Sequence, residues 1–79
     1  MTIQAYILLK IRPVSVEELR RELEKIPEIK SCALVTGEID AILEVEVEDT
    51  QKLFEVARKL RDIPHVMETR TSIIISVCK

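Results

Sequence analysis

Four residues break up this chain: Pro13, Pro27 and Pro64, its only prolines, and Gly37, its only glycine. Proline ends helices and strands by removing a donor, and glycine reaches the positive φ that sharp turns require. Regular elements must therefore lie between these points, and the spacing of apolar residues in each interval says which kind. Before Pro13, Ile3, Ala5, Ile7, Leu9 and Ile11 alternate with Gln4, Tyr6, Leu8 and Lys10, the period of a strand. Ser15 with Glu18 fits a capping box, and Val16, Leu19, Leu23 and Ile26 form the stripe of a helix that Pro27 closes. A β-favouring run over residues 29–35 leads to Gly37 and another over 39–47 leads away, which makes a hairpin. Asp49 or Thr50 caps a second helix with Leu53, Val56, Ala57 and Leu60 as its stripe and Phe54 at its edge, and Pro64 stops it. A last strand is expected over residues 65–77.

The order βαββαβ predicts an α+β fold of the ferredoxin-like kind: one four-stranded antiparallel sheet with both helices on one face, residues 1–79 forming a single domain. If Ile3, Ala5, Ile7, Leu9, Leu43 and Val45 face the helices, the pleat turns Tyr6, Leu8 and Ile42 outward, joined by Leu34 and by Ile74 or its neighbours. A chain of 79 residues buries only about 60% of its unfolded surface, and a second apolar face on so small a body marks an interface. The expectation is a homodimer that packs sheet to sheet, an α+β barrel association.

Charge narrows the partners. The net charge is -2, which leaves no basic excess for a phosphate backbone, so direct binding of DNA is not expected. No run is long enough to span a bilayer and the N-terminus has no signal-peptide pattern, so the chain reads as cytoplasmic, with no membrane partner. Abundant Glu, Lys and Arg without Asn resembles thermophile usage. Cys32 and Cys78 match no metal or redox spacing and read as buried free thiols.

Chemistry is concentrated at the hairpin tip, where Thr36, Glu38 and Asp40 put a hydroxyl and two carboxylates beside free backbone N–H groups around Gly37. Such a tip is either solvated or holds something small and charged. Asp40 either serves its own turn or contacts a ligand. No nucleophile, base and orienting group can be assembled, and no phosphate loop or metal-ligand spacing occurs, so no catalytic residue, metal or cofactor is assigned. His65 reads as a loop residue, and Glu44, Glu46, Glu48 and Asp49 as a solvated acidic edge.

Two stretches carry a family resemblance. Leu34-Val35-Thr36-Gly37-Glu38-Ile39-Asp40 resembles the V-T-G-x-[YF]-D signature of the effector-binding (RAM) domain of Lrp/AsnC transcription regulators, and Ile63-Pro64-His65-Val66-Met67-Glu68-Thr69-Arg70-Thr71 resembles its [LI]-P-G-V-x-x-[ST]-x-T run. The likeness covers essentially the whole chain. It departs at Ile39, where the family has an aromatic residue, at His65, where it often has Gly, and at Met1, which begins on the first strand with no helix-turn-helix before it. The resemblance implies a stand-alone regulatory module rather than an enzyme, one that pairs through its sheet, assembles into tetramers or octamers, and binds a free amino acid between dimers. In that site the N–H groups around Gly37, with the Thr36, Thr69 or Thr71 hydroxyls, would take the carboxylate, and Asp40 the ammonium. Such a module could join mixed assemblies with full-length regulators. The alternatives are an adaptor with no ligand of its own and, more distantly, a small α+β-barrel enzyme.

Overall fold

The computed structural model describes residues 1–79. Its elements run β1 (Ile3–Ile11), α1 (Val16–Glu24), β2 (Ile29–Leu34), β3 (Ala41–Val47), α2 (Thr50–Arg61) and β4 (Val66–Ile73). The strands form one antiparallel sheet in the order β2-β3-β1-β4, the ferredoxin-like arrangement. The two hydrophobic central strands, β1 and β3, are flanked by the more exposed β2 and β4.

Periodicity accounts for the core. Ala5, Ile7 and Leu9 of β1 and Ala41, Leu43, Val45 and Val47 of β3 are buried on one side, against Leu19 and Leu23 of α1 and Leu53, Val56 and Leu60 of α2. Both helices start as their sequences require. The Ser15 hydroxyl accepts from the Glu18 N–H at 3.1 Å and the Asp49 carboxylate from the Lys52 N–H at 2.8 Å. The second half of the expected capping box does not form, because the Glu18 carboxylate turns instead toward His65, 3.4 Å from its Nε2. His65 thus lies beside the start of α1, and its carbonyl accepts from the Arg12 N–H at 2.8 Å.

Two boundaries differ from expectation. α1 ends at Glu24, two residues before Ile26, which stays buried in the following turn because its apolar side chain still packs on the core. β4 ends at Ile73 rather than at residue 77, because its partner β1 begins at Ile3: Ile73 pairs with Ala5, the Ile74 N–H donates to the Gln4 carbonyl, and little of β1 is left beyond that point to pair with.

The cysteines also correct their reading as buried residues. Both are free and exposed. Cys32 sits opposite Leu43 on the helix side of the sheet, but β2 is an edge strand and its flank is only partly covered, while Cys78 lies past the end of β4. The partial cover of that flank desolvates the Cys32 thiol and pushes it above its ordinary value. No helix is long and apolar enough to cross a membrane.

The opposite face of the sheet is uncovered by helix, and the register fixes its residues. Ala33, Ile42, Leu8 and Arg70 form one row across the four strands, and Ser31, Glu44, Tyr6 and Ser72 the next. Ile74 follows beside Gln4 on the same face. Leu34 does not belong to this face. It pairs with Ala41, whose side chain is in the core, and so projects to the helix side, 49% exposed at the sheet edge. The open face is accordingly an apolar strip of Tyr6, Leu8, Ile42 and Ile74 with Glu44 and Arg70 on its flanks.

Candidate functional site: the hairpin tip and its cleft

Three hydrogen bonds set the shape of the β2–β3 tip. The Val35 N–H donates to the Asp40 carbonyl at 2.9 Å, the Asp40 N–H to the Leu9 carbonyl at 2.9 Å, and the Ile11 N–H to Asp40 Oδ2 at 2.9 Å. The last bond has a clear cause. The β1–β3 pairing ends at Leu9 and Ala41, so the Ile11 N–H, which points to the same side of β1 as the Leu9 carbonyl, has no ladder partner, and a charged acceptor from the hairpin takes it. Asp40 therefore ties the tip to the end of β1, 29 positions away in the chain. This differs from the own-turn reading: the carboxylate accepts from β1 through Oδ2, while Oδ1 makes no bond within the chain.

Gly37 turns the chain at φ 119°, the only positive φ in the protein, and a Cβ placed there would meet no atom within 4 Å. Space is free and the backbone alone demands glycine. Gly37→Ala should cost about 1–3 kcal/mol of strain. The expected result is a lower urea midpoint with an unchanged m-value.

The tip brings Thr36, Gly37, Glu38 and Asp40 together. Thr69 lies at the same end of the sheet, paired with Leu9 across β1 from the tip. Thr71 pairs with Ile7, about 7 Å further along the strand, and both threonines share the helix side with Leu9 and Ile7. Thr71 is thus separated from the tip group.

A cleft of about 290 Å³ opens beside the tip on the uncovered face, lined by Leu8, Lys10, Glu38, Ile39, Glu68 and Arg70. Its size is near the lower bound for small-molecule pockets. Lys10 pairs with Glu68 and Leu8 with Arg70 across β1 and β4, and Arg70 Nη2 stands 3.8 Å from Glu68 Oε1. Two cations and two carboxylates above an apolar floor can meet both charges of a zwitterion. Sequence reasoning missed Lys10, Glu68 and Arg70. The signal was their shared pleat with Leu8, which becomes visible only once β1 and β4 are known to be neighbours.

The matching protein-family model is that of the Lrp/AsnC ligand binding domain, over residues 4–79. This chain belongs to the Lrp/AsnC ligand-binding-domain family. An uncharacterised helix-turn-helix-type transcriptional regulator of Pyrococcus abyssi is 36% identical over 78 residues, which cover 98% of this chain and 49% of that protein. The chain spans about half the length of the curated relatives it matches. Among solved structures, the transcriptional regulator NMB0573 of Neisseria meningitidis, in complex with L-Met, superimposes with a TM-score of 0.85 at 28% identity, covering 98% of this chain and 52% of that one. FFRP-DM1 superimposes with a TM-score of 0.81 at 31% identity, covering 92% of this chain and 99% of its own. The curated relatives are named as transcriptional regulators, and this chain matches them over its Lrp/AsnC ligand-binding domain.

Proposed function

We propose that this Lrp/AsnC domain is a sensor of a free amino acid that pairs through its open sheet face and passes the binding signal on by changing its assembly. The observation that carries the reading is the cleft beside the Asp40-anchored tip, where Lys10, Arg70, Glu38 and Glu68 surround Leu8. The regulator NMB0573, similar over almost the whole of this chain, is described in complex with L-Met, and that supports the choice of ligand class. The ligand carboxylate is taken by Lys10 or Arg70 together with N–H groups of the tip, and the ammonium by Glu38 or the free oxygen of Asp40. Thr36 belongs to the same tip, whereas Thr69 and Thr71 stand on the helix side of the sheet, away from this cleft, and take no part in the reading.

Isolation leaves the cleft open to water, where such ion pairs are weak. It lies on the same face as the apolar strip, so a second copy packed on that face would also shield the ligand. Tyr6, Leu8, Ile42 and Ile74 supply the apolar contact, and Leu34, on the other side of the sheet, takes no part in it. Both helices of the 79 residues pack on the sheet, so contact with DNA falls to another segment or to a full-length regulator that joins a mixed assembly. Regulation requires that the ligand bind one assembly more tightly than another. The reading also makes the chain a non-enzyme of the cytoplasm.

The test is a thermal-shift panel of the protein amino acids, repeated while the particle mass is followed by light scattering. At a free concentration of 100 times Kd one ligand should add about 2.7 kcal/mol, a rise of roughly 10 °C or more for a domain of this size. If no amino acid shifts either the melting temperature or the mass, the sensor reading is wrong.

A further inference from the structure

Beside β4 the helical layer has an open flank. The core stripe of α2 is Leu53, Val56, Ala57 and Leu60. Next to it Phe54, Arg58 and Arg61 stand at i, i+4 and i+7, one line along the helix, with Phe54 68% exposed. Carboxylates lie off this line: Glu55 faces Lys52 at 3.6 Å and Asp62 caps the last turn, while Arg58 and Arg61 enter no ion pair. The right-handed crossover from β3 to β4 turns the line toward the outer side of β4. On the helix side of that strand stand Thr69, Thr71 and Ile73, the last 48% exposed. A chain with 14 carboxylates against 12 Lys and Arg thus keeps one strip with guanidiniums, hydroxyls and apolar side chains free of any carboxylate.

The backbone along this strip is unpaired as well. β4 is an edge strand. The Ile74 N–H donates to the Gln4 carbonyl, so by antiparallel alternation Glu68, Arg70 and Ser72 also turn their backbone groups to β1, and Thr69, Thr71 and Ile73 present theirs outward.

We propose that an extended acidic segment of another protein adds as a strand to the outer edge of β4, with its carboxylates over Arg58 and Arg61 and an apolar side chain against Phe54 and Ile73. The two rows are in step. α2 starts just after Val47, which pairs with Ile3, and β4 ends at Ile73 beside Ala5, so Phe54 stands near Ile73 and the arginines near Thr71 and Thr69. Phe54 to Arg61 rises about 10 Å and Ile73 to Thr69 about 13 Å, so side chains at i, i+2 and i+4 of an added strand meet each level in turn. Main-chain bonds supply affinity and the alternate side chains specificity. A second copy does not fit: pairing two β4 edges about a two-fold axis brings the arginines of both onto one seam. Nucleic acid would satisfy the guanidiniums but leave the outward N–H and C=O groups without a ladder. The strip is on the helix side, so the inference stands apart from the amino-acid cleft and the sheet dimer.

The probe is the fluorescein-labelled peptide Glu-Thr-Glu-Thr-Leu-Thr-Glu-Thr-Glu, which presents the same side chains in either strand direction, followed by fluorescence anisotropy. The expected result is saturable binding that weakens at least tenfold in Arg58→Glu/Arg61→Glu, at least tenfold in Phe54→Ser, and at least tenfold when alternate amide nitrogens of the peptide are methylated on the edge that would pair. The substituted positions are exposed, so the variants should fold, as circular dichroism would show. The same peptide with Lys for Glu should not bind. Failure of the acidic peptide to bind overturns the proposal, as does equal binding of the Lys peptide or binding that survives charge reversal or methylation. Tighter binding of a labelled single-stranded oligonucleotide overturns it too, and assigns the strip to nucleic acid.

Discussion

Asp40→Ala should lower the melting temperature by roughly 5–15 °C, because it removes a charged acceptor from the Ile11 N–H just past the end of the β1–β3 ladder. A hydrogen bond to a charged group is worth about 1.5–3 kcal/mol, and partial exposure of the site puts the loss toward the lower end, since water can reach the freed N–H. The tip would then be held to β1 only through the Asp40 N–H to Leu9 carbonyl bond. Asp40→Asn separates the two roles assigned to this residue. Its carbonyl oxygen can still accept from Ile11, so most of the stability should return, while the charge that would face a ligand ammonium is gone. Melting temperature and amino-acid affinity should therefore move together in the alanine variant and apart in the asparagine one. If Asp40→Asn restores both, the carboxylate serves position only.

Leu8→Arg should have the largest effect on assembly. Leu8 lies between Ile42 and Arg70 in the middle row of the open face, so the substitution places a cation at the centre of the apolar strip and directly across from another cation. An unpaired charge buried in an interface costs about 3 kcal/mol or more, a weakening of the dimer beyond 100-fold. In the single chain the position has access to water, so the fold should survive, as circular dichroism would show. Unchanged association in sedimentation would mean that copies meet through another surface.

The differences between sequence and structure have particular physical causes. Side-chain periodicity records which side of an element is wet, so the burial of Ile7, Leu43, Leu53 and Leu60 could be read directly from spacing. Facing within a pair of strands is harder. Alternation alone puts Leu34 on the open face, but its side depends on the length of the turn around Gly37, and that turn pairs it with Ala41. Cys32 is exposed where a strand-like run suggests burial, because burial depends on strand order and β2 lies at the edge. The bond from Ile11 to Asp40 spans 29 positions and caps the end of the β1–β3 ladder, neither of which leaves a local mark in the chain. Lys10, Glu68 and Arg70 form a cleft with Glu38 only because β1 and β4 are neighbours beside the tip. The tip motif itself was legible, since a lone glycine between β-favouring runs has few other uses.

Ligand capture and signal transmission both depend on two copies sharing the uncovered side of the sheet. Sedimentation equilibrium of the unmodified protein at low micromolar concentration measures this most directly. The expected result is a particle of twice the 9.1 kDa chain mass, or a higher even multiple. A single species at the chain mass itself, unchanged as concentration rises, would contradict it.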